Sequence, residues 1–257
     1  MSVSNKHHTY TLGVLVSSGG TAHVYRAKDE QGKECVIKIL HRLDAPYPDC
    51  LRREIDILTQ FKHPHVVTLV DHGEDWIAMD DAGDDLLTYA MEGILTEDLL
   101  RPILCQLVSV LVDVYHHGLY YCDLKLENVL YDGAMVRLCD WGGILGGTDL
   151  YEPPEGFTQT VDTDAFQREN VWSLGIMIYA ILFQRYPFGA SSGTPKQICR
   201  RKLRQSPYSD EILDLMLSCL AWQSQRIPLL SVMAHPWMMN QHMTDVQRQE
   251  ARVRFYD

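Results

Sequence analysis

The segment YYCDLKLENVL, residues 120–130, decides how the rest of the chain is interpreted. It places an acid, Asp123, two residues before a cation, Lys125, and five residues before an amide, Asn128. The sequence DWG follows at residues 140–142 and adds a second acid beyond a short predicted hairpin. Carboxylate and amide oxygens bind hard cations, and lysine pairs with phosphate, so this pattern indicates a site for phosphate and metal ions.

The composition is that of an ordinary globular protein. Of the 257 residues, 46% are hydrophobic and 22% are charged, and this length allows one large domain or two lobes. The net charge of −11 and the short basic runs at 52–53 and 200–202 argue against nucleic-acid binding. The acidic surface either favours basic protein substrates or simply keeps the protein soluble.

The cysteines and the N-terminus predict an intracellular protein of the cytoplasm, the nucleus or both. The seven cysteines are scattered without metal-ligand spacing, and residues 1–8 lack the apolar core of a signal peptide. The longest apolar run, residues 174–183, is shorter than the about 20 residues that span a bilayer. We therefore expect a buried helix there and no membrane contact. The sequence leaves the oligomeric state open, and a monomer is favoured.

Alternating patterns at the start of the chain predict an antiparallel sheet and one helix. Strands are predicted at residues 10–16, 23–27, 34–40, 66–71 and 76–79. Between them, Leu51 and Leu58 recur at helical spacing, which predicts a helix over residues 49–61.

The composition changes at Asp80–Gly83, and the chain beyond is mainly helical. Thr96 is the predicted N-cap of a long helix that ends at His117-Gly118. Pro102 lies inside this helix and is expected to bend or restart it. Further helices are predicted over residues 164–184, 195–205, 209–222 and 229–238, with a loosely attached polar helix over residues 244–254.

Two features of the first half predict contacts with a charged ligand. The small residues of VSSGGTAHV, 16–24, would let backbone N–H groups approach an anion, although they also suit a plain turn. Lys38 is a single charge in the apolar run 35–40 and needs a partner, because burying an unpaired charge is unfavourable. Glu54, on the apolar face of the predicted helix, is the natural candidate.

The order of these features resembles the signature of eukaryotic protein kinases. The features are the glycine-containing hairpin, Lys38, Glu54, Asp-x-Lys-x-x-Asn, Asp-Trp-Gly, Pro-Pro-Glu at 153–155 and Arg226. The chain resembles a divergent member of the serine/threonine branch over residues 10–238, and Glu155 is expected to pair with Arg226. The resemblance implies an α+β, two-lobed fold as a single kinase domain over residues 1–257. Its parts would be a small antiparallel sheet lobe at about 9–80, a hinge at 80–83, a larger helical lobe at 84–240 and a polar tail at 241–257.

The resemblance assigns catalytic roles to four residues. Lys38 would hold the α- and β-phosphates of ATP and be positioned by Glu54. Asp123 would accept the proton of the substrate hydroxyl, and Lys125 would steady the transferred phosphoryl group. All of these groups would have to converge on one cleft.

The resemblance also assigns ligands for ATP and Mg²⁺. Asp140 and Asn128 would bind the metal ions. The adenine would lie between apolar walls at the hinge, with Met79 as gatekeeper and Asp85 reaching the ribose. The residues expected to contact the nucleotide are Val16, Ser17, Ser18, Gly19, Gly20, Thr21, Ala22, Val24, Val36, Lys38, Met79, Asp80, Asp81, Asp85 and Leu130.

Protein serine or threonine side chains are the implied substrates. Lys125 together with Thr148 is typical of the serine/threonine branch, in which that threonine contacts the catalytic acid and the lysine. Glu127 and Asp85 would read a basic residue of the substrate, although Glu127 would equally suit a solvated surface.

Two departures from the family concern the nucleotide loop and its regulation. Ser17 and Ala22 stand where the first and third loop glycines are usual, which should weaken nucleotide affinity at most. Cys122 replaces the arginine that would receive an activation-loop phosphate. We therefore expect little dependence on phosphorylation of the loop.

Two further departures concern the scaffold. Asn170 replaces an aspartate that accepts hydrogen bonds from the catalytic loop, and loss of the charge should weaken these bonds. Tyr121 and Trp141 enlarge two layers of an apolar spine that also includes Leu58 and Leu69, which indicates a spine repacked as a set.

The sequence favours an active serine/threonine kinase that uses ATP and Mg²⁺, and two alternatives stay open. A pseudokinase acting as a nucleotide-binding scaffold or allosteric partner would account for the departures. A small-molecule kinase of similar fold would suit the short interval between residues 140 and 155, but not residues 147–155, which resemble a peptide-positioning loop.

Overall fold

The chain divides into two compact units, each made of two stretches of sequence. The structure, a computed structural model, describes residues 1–44, 46–143, 147–188, 194, 195, 198, 203, 205–244, 246 and 247. The first unit is Met1–Gly83 with Leu130–Gly143, and the second is Asp84–Val129 with Ile144–Asp257. Leu138 joins the first unit because its carbonyl accepts from Val67 N–H at 3.1 Å and its N–H donates to His65 O at 2.9 Å.

The first unit contains a six-stranded antiparallel sheet with the order β1-β2-β3-β4-β6-β5. The strands are β1 Ser2–Ser4, β2 Thr9–Ser18, β3 Ala22–Lys28, β4 Glu34–Leu40, β5 Leu69–His72 and β6 Trp76–Met79. The predicted meander of three strands is confirmed. Strand β1 was not predicted because its short serine-rich sequence has almost no apolar pattern. Strand β5 begins at Leu69 and not at Val66, since Val66 instead forms an isolated parallel bridge with Leu138.

Alternate residues of the strands and one face of a helix build the core of the first unit. The buried sheet residues are Tyr10, Leu12, Ala27, Cys35, Ile37, Trp76 and Ala78. Helix α1, Tyr47–Gln60, buries Leu51, Glu54 and Leu58 at intervals of three and four residues. The predicted helix is confirmed, and it begins two residues earlier because proline suits the first turn. Strands β8, Val129–Tyr131, and β9, Val136–Leu138, are neighbours in a small second sheet.

The second unit is mainly helical. Its elements are β7 Asp84–Asp85, α2 Leu86–Met91, α3 Glu97–His116, α4 Thr163–Phe183, α5 Asp210–Cys219 and α6 Leu229–Val232. Thr96, Asp162 and Ser209 each accept a backbone N–H with the side chain and so begin α3, α4 and α5. The N-cap predicted at Thr96 is confirmed, and Gly118 has the expected positive φ of 65° after the end of α3.

The structure differs from two sequence predictions for these helices. Helix α3 is continuous through Pro102, so the predicted restart is wrong, and the alternative of a bend stays a prediction. Pro102 and Asp98 are both exposed, so the carbonyl that loses its partner can bond to water. The helix predicted over 229–238 ends at Val232, because the residue before Pro236 is disfavoured in helical conformation. The helix predicted over 195–205 and the polar helix over 244–254 lie mostly outside the described residues.

Helix α3 is long and apolar enough to cross a membrane by length and composition, with a mean hydropathy of 1.4. Its buried residues are Leu100, Ile103, Leu104, Leu107, Val108, Val110, Leu111 and Val114. Eight of the 20 residues of α3 are thus buried.

Candidate active site

The first unit contains a group of three charged residues, called here the lysine cluster: Lys38, Glu54 and Asp140. Lys38 lies on β4, opposite Ile77 of β6. Its ammonium donates to Glu54 Oε2 at 2.8 Å and to Asp140 Oδ1 at 2.7 Å. Glu54 is fully buried on α1, whereas 42% of the Asp140 side chain is exposed. The predicted pairing of Lys38 with Glu54 is confirmed.

Burial and charge act in opposite directions within the lysine cluster. Burial favours the neutral form of Lys38, but the charges of Asp140 and Glu54 outweigh it and raise the pKa of the ammonium above its ordinary value. Burial raises the pKa of Glu54 above its ordinary 4.5, although Lys38 opposes this shift. Lys38 therefore stays protonated and carries the positive charge that phosphate binding requires.

Asp140 has an unusual backbone conformation. Its φ of 58° lies in the left-handed region, which aspartate adopts more readily than most residues. The next residue is tied to α1, since Trp141 N–H donates to Glu54 Oε1 at 3.0 Å. The ring of Trp141 is buried and meets Phe61 edge to face at 6.0 Å. Sequence reasoning assigned Trp141 to the apolar spine but missed both the Glu54 contact and Phe61.

The predicted nucleotide loop is the tight hairpin between β2 and β3. Gly19 N–H donates to Ala22 O at 3.0 Å. A Cβ placed on Gly20 would have no atom within 4 Å apart from those of its chain neighbours, so this residue faces open space. Two histidines that sequence reasoning missed support the hairpin: a ring nitrogen of His41 lies 3.2 Å from Gly20 O, and the His23 and His41 rings are 4.5 Å apart. The structure therefore shows a tight turn of small residues at 18–22, and its contact with phosphate stays a prediction.

The strands next to this hairpin hold the predicted apolar wall. Val24 is opposite Lys38, and Val36 is opposite Met79, so these residues share the same region of the sheet. Met79 is buried, whereas Val16 is about half exposed at 51%. Leu130 lies on β8. Their contact with adenine stays a prediction.

The acidic residues predicted near the hinge have structural partners. Asp80 accepts from Thr68 N–H, and Asp81 lies 3.3 Å from Arg26. In the second unit, Asp85 accepts from Thr88 N–H at 2.8 Å and is the N-cap of α2. The capping role was missed, although an aspartate before an apolar run is a usual cap signal. Its predicted contact with ribose stays a prediction.

The second unit contains another group, called here the aspartate cluster: Asp123, Lys125, Asn128 and Thr148. Lys125 donates to Asp123 Oδ2 at 2.6 Å and to Thr148 Oγ1 at 2.9 Å, and Thr148 donates to Asp123 Oδ1 at 2.8 Å. Asn128 Nδ2 donates to the Asp123 carbonyl at 2.8 Å. The predicted contact of Thr148 with the acid and the lysine is confirmed.

Neighbouring residues fix the backbone around the aspartate cluster. Gly147 has a φ of 50°, and a Cβ there would lie 2.7 Å from the Phe157 ring, so only glycine fits before Thr148. Leu126 N–H donates to the hydroxyl of buried Tyr151 at 3.2 Å, and burial raises the pKa of this hydroxyl. Sequence reasoning missed Tyr151 as a support.

Two other side chains of the second unit, those of Glu127 and Arg226, place polar atoms in buried positions. One carboxylate oxygen of Glu127, Oε2, is buried and has no hydrogen-bond partner among the described residues. Arg226 is fully buried and binds both oxygens of Glu155, at 2.6 and 3.0 Å, with its guanidinium 4.9 Å from the Trp172 ring. The predicted pair of Glu155 and Arg226 is confirmed.

Four of the residues that replace usual family residues are buried in the scaffold. Tyr121, Cys122 and Trp141 are 2%, 8% and 1% exposed, and Asn170 is 6% exposed. Cys122 therefore places a short thiol side chain in the interior, at the position where the family pattern has an arginine. The role predicted for Asn170, accepting from the catalytic loop, stays a prediction.

The predicted metal ligands have the chemistry that Mg²⁺ prefers. Asp140 offers carboxylate oxygens, and Asn128 offers its amide oxygen because the amide nitrogen already donates to Asp123. Within the described part of the chain, no group of three or more His, Cys, Asp or Glu side chains is arranged to hold a metal ion. The assignment of Asp140 and Asn128 as Mg²⁺ ligands stays a prediction.

Comparisons with known proteins agree with this geometry. The model of the family described as "Protein kinase domain" matches residues 10–238. The serine/threonine-protein kinase ULK3 of Homo sapiens is 30% identical over 265 residues, covering 91% of this chain and 56% of the relative. The serine/threonine-protein kinase fused of Drosophila melanogaster is 31% identical over 205 residues, covering 71% of this chain and 25% of the relative.

A solved structure is similar as well. The crystal structure of Rad53 1-466 in complex with AMP-PNP superposes with a TM-score of 0.73 and is 26% identical, covering 89% of this chain and 65% of that one. The chain thus spans less than two thirds of the length of each of these relatives. It has the α+β, two-lobed protein kinase fold, with a sheet lobe and a mainly helical lobe. With a family match over nearly its whole length, the chain belongs to the protein kinase superfamily.

Proposed function

We propose that the protein is a catalytically competent serine/threonine kinase that transfers the γ-phosphate of ATP to protein hydroxyls with the help of Mg²⁺. The observation that carries this proposal is that both charged clusters are complete. Lys38 is protonated and held between Glu54 and Asp140, and Asp123 is held by Lys125 and Thr148. Relatives that carry the name serine/threonine-protein kinase support the residue class, and the AMP-PNP complex of Rad53 supports ATP as the nucleotide.

The chain's own residues would divide the work between phosphate and proton. Lys38 would neutralise phosphate charge, while Glu54 keeps its ammonium in place. Asp123 would accept the proton of the substrate hydroxyl, since hydrogen bonds to both of its oxygens fix the orientation of the carboxylate. Lys125 would neutralise charge on the transferred group. Bound Mg²⁺ would supply further charge neutralisation at the phosphates.

We further propose that substrates carry a basic residue near the target hydroxyl. A buried carboxylate oxygen without a partner is unfavourable, and Glu127 Oε2 is such an atom among the described residues. An arginine or lysine of the substrate would satisfy it. The net charge of −11 would also attract basic peptides.

The proposed activity does not depend on a phosphorylated loop. Cys122 is buried and lacks a guanidinium, whereas the family pattern has at this position the arginine that binds such a phosphate. A scaffold without catalysis is the second candidate, and the replacements at Ser17, Ala22, Cys122 and Asn170 favour it.

A peptide-array phosphorylation assay tests the proposal. The unmodified protein, made without loop phosphate, should phosphorylate serine or threonine peptides with basic flanks, and Glu127→Gln should reduce the preference for those flanks. Asp123→Asn should lower transfer by about 10²–10⁴-fold, and the change of Asp98, an exposed acid on α3, to asparagine is the matched control. If no peptide is labelled but ATP with Mg²⁺ raises the melting temperature, the scaffold is favoured instead.

A further inference from the structure

Three consecutive residues after Asp140 contact helix α1 within the first unit. Trp141 N–H donates to Glu54 Oε1 at 3.0 Å. Gly142 packs so closely on the helix that a Cβ would lie 2.7 Å from Cys50 O. Arg53 Nη1 donates to Gly143 O at 2.8 Å. Asp140, the predicted metal ligand, is therefore followed by a segment in which every residue contacts the helix, two of them through hydrogen bonds.

The hydrogen bond from Arg53 to Gly143 O holds this segment on α1 without any residue of the lysine cluster. It joins a guanidinium to a backbone carbonyl in a partly buried position, and hydrogen bonds from charged donors are stronger than neutral ones. The neighbouring Arg52 differs, since its side chain is 72% exposed and pairs with Asp49 on the same helix. The two adjacent arginines thus provide a functional candidate and a matched control.

These contacts depend on each other. Glu54 holds Lys38 with one oxygen and Trp141 N–H with the other, so its position fixes both β4 and the segment after Asp140. A shift of residues 141–143 along α1 would break the Glu54 and Arg53 bonds together. Asp140 would then lose the support that keeps its φ at 58°.

We propose that Arg53 is a positioning residue that holds the Asp140–Gly143 segment on α1, so that Asp140 is ready to bind metal without loop phosphorylation. This inference rests on the proposed kinase function. In the family pattern an arginine binds the phosphate of the activation loop. This chain has Cys122 at the position of that arginine. Here the bond from Arg53 to Gly143 O gives the segment an internal anchor that needs no modification.

Hydrogen exchange of the nucleotide-free protein tests the anchor without any catalytic step. In a fragment covering residues 138–143, Arg53→Ala should speed exchange of the Trp141 amide on the order of tenfold, the effect expected for loss of one charged hydrogen bond. Arg52→Ala should leave exchange unchanged, and Arg53→Lys, which keeps a cationic donor, should lie between the two. Equal exchange in Arg53→Ala and Arg52→Ala would overturn the inference.

A Mg²⁺ titration of phosphate transfer tests the consequence for metal binding. Arg53→Ala should raise the free Mg²⁺ needed for the half-maximal rate on the order of tenfold, with Arg52→Ala as control. Gly142→Ala should show the same direction, because its methyl group would push the segment away from Cys50. A wild-type protein without transfer would contradict the proposed function, whereas active protein with an unchanged Mg²⁺ requirement in Arg53→Ala would contradict only the anchor.

Discussion

The lysine cluster and the aspartate cluster differ in charge balance and in burial. The lysine cluster has two carboxylates for one ammonium and is organised around Glu54, which is fully buried. In the aspartate cluster one carboxylate faces one ammonium, and the side chains of Asp123 and Lys125 remain 16% and 19% exposed. The lysine cluster has an excess negative charge, which suits the binding of a metal cation. The aspartate cluster has balanced charges, which suits the transfer of a proton. The first should therefore affect both stability and activity, and the second mainly activity.

The largest effect is expected for Lys38→Met. This change leaves Glu54 buried without its cation. Removal of one partner of a buried ion pair lowers the free energy of unfolding by about 3–5 kcal/mol. Urea unfolding should show this loss together with loss of phosphate transfer. The double variant Lys38→Met, Glu54→Leu should recover most of the stability but no activity. If Lys38→Met is as stable as the wild type, the pair is not the structural support described here.

Asp123→Asn should separate activity from stability. Loss of the general base should lower the transfer rate by about 10²–10⁴-fold. The free energy of unfolding should change by less than about 1 kcal/mol, because the amide oxygen can still accept one bond in this partly exposed position. Fixed-time phosphate-transfer assays measure the rate, and urea unfolding of the same samples measures the free energy of unfolding. A large loss of stability would show that the two clusters do not differ as proposed.

Thr148→Val should have an intermediate effect on activity. Valine keeps the shape but removes the hydroxyl that joins Asp123 and Lys125, and one hydrogen bond contributes about 1 kcal/mol. The transfer rate should fall roughly fivefold, which is what this energy corresponds to. Thr148→Ser restores the hydroxyl and should recover most of the rate. A valine variant with the wild-type rate would remove Thr148 from the orienting set.

The smallest effect is expected from pH, and it is specific to the lysine cluster. The pKa values of Glu54 and Lys38 are both raised in the folded protein, from ordinary values of 4.5 and 10.5. When the pKa of a group is raised in the folded state, the folded state binds the proton more tightly than the unfolded state does. The stability that this group contributes is therefore lost as the pH rises from the ordinary pKa of the group to its raised pKa. The difference in unfolding free energy between the wild type and Lys38→Met, Glu54→Leu should therefore fall with rising pH. A difference that grows with pH would contradict the assigned directions.

Sequence reasoning found the members of both clusters because each is a polar residue in an apolar pattern. Lys38 and Glu54 could be paired in this way, and the family resemblance predicted the contacts of Thr148 and Arg226. Backbone contacts between distant segments give no such signal, so the bonds from Trp141 N–H to Glu54 and from Arg53 to Gly143 O were not predicted.

The extents of the elements were predicted less well where tertiary context competes with local preference. Helix α3 continues through Pro102 because solvent can satisfy the freed carbonyl. The helix after Leu229 is short because His235 precedes a proline, and its ring instead lies 3.2 Å from Asp214. Asp85 was assigned to the nucleotide although its sequence position also suits the N-cap that the structure shows.

The most direct test of the central claim is the initial rate of γ-phosphate transfer by the unphosphorylated protein, with Mg²⁺-dependent ATP binding measured on the same samples. We expect measurable transfer by the wild type and by Asp98→Asn, and a rate lower by about 10²–10⁴-fold for Asp123→Asn, while all three bind ATP with similar affinity. ATP binding without transfer in the wild type, or transfer that Asp123→Asn does not alter, would contradict a catalytic role for the two clusters.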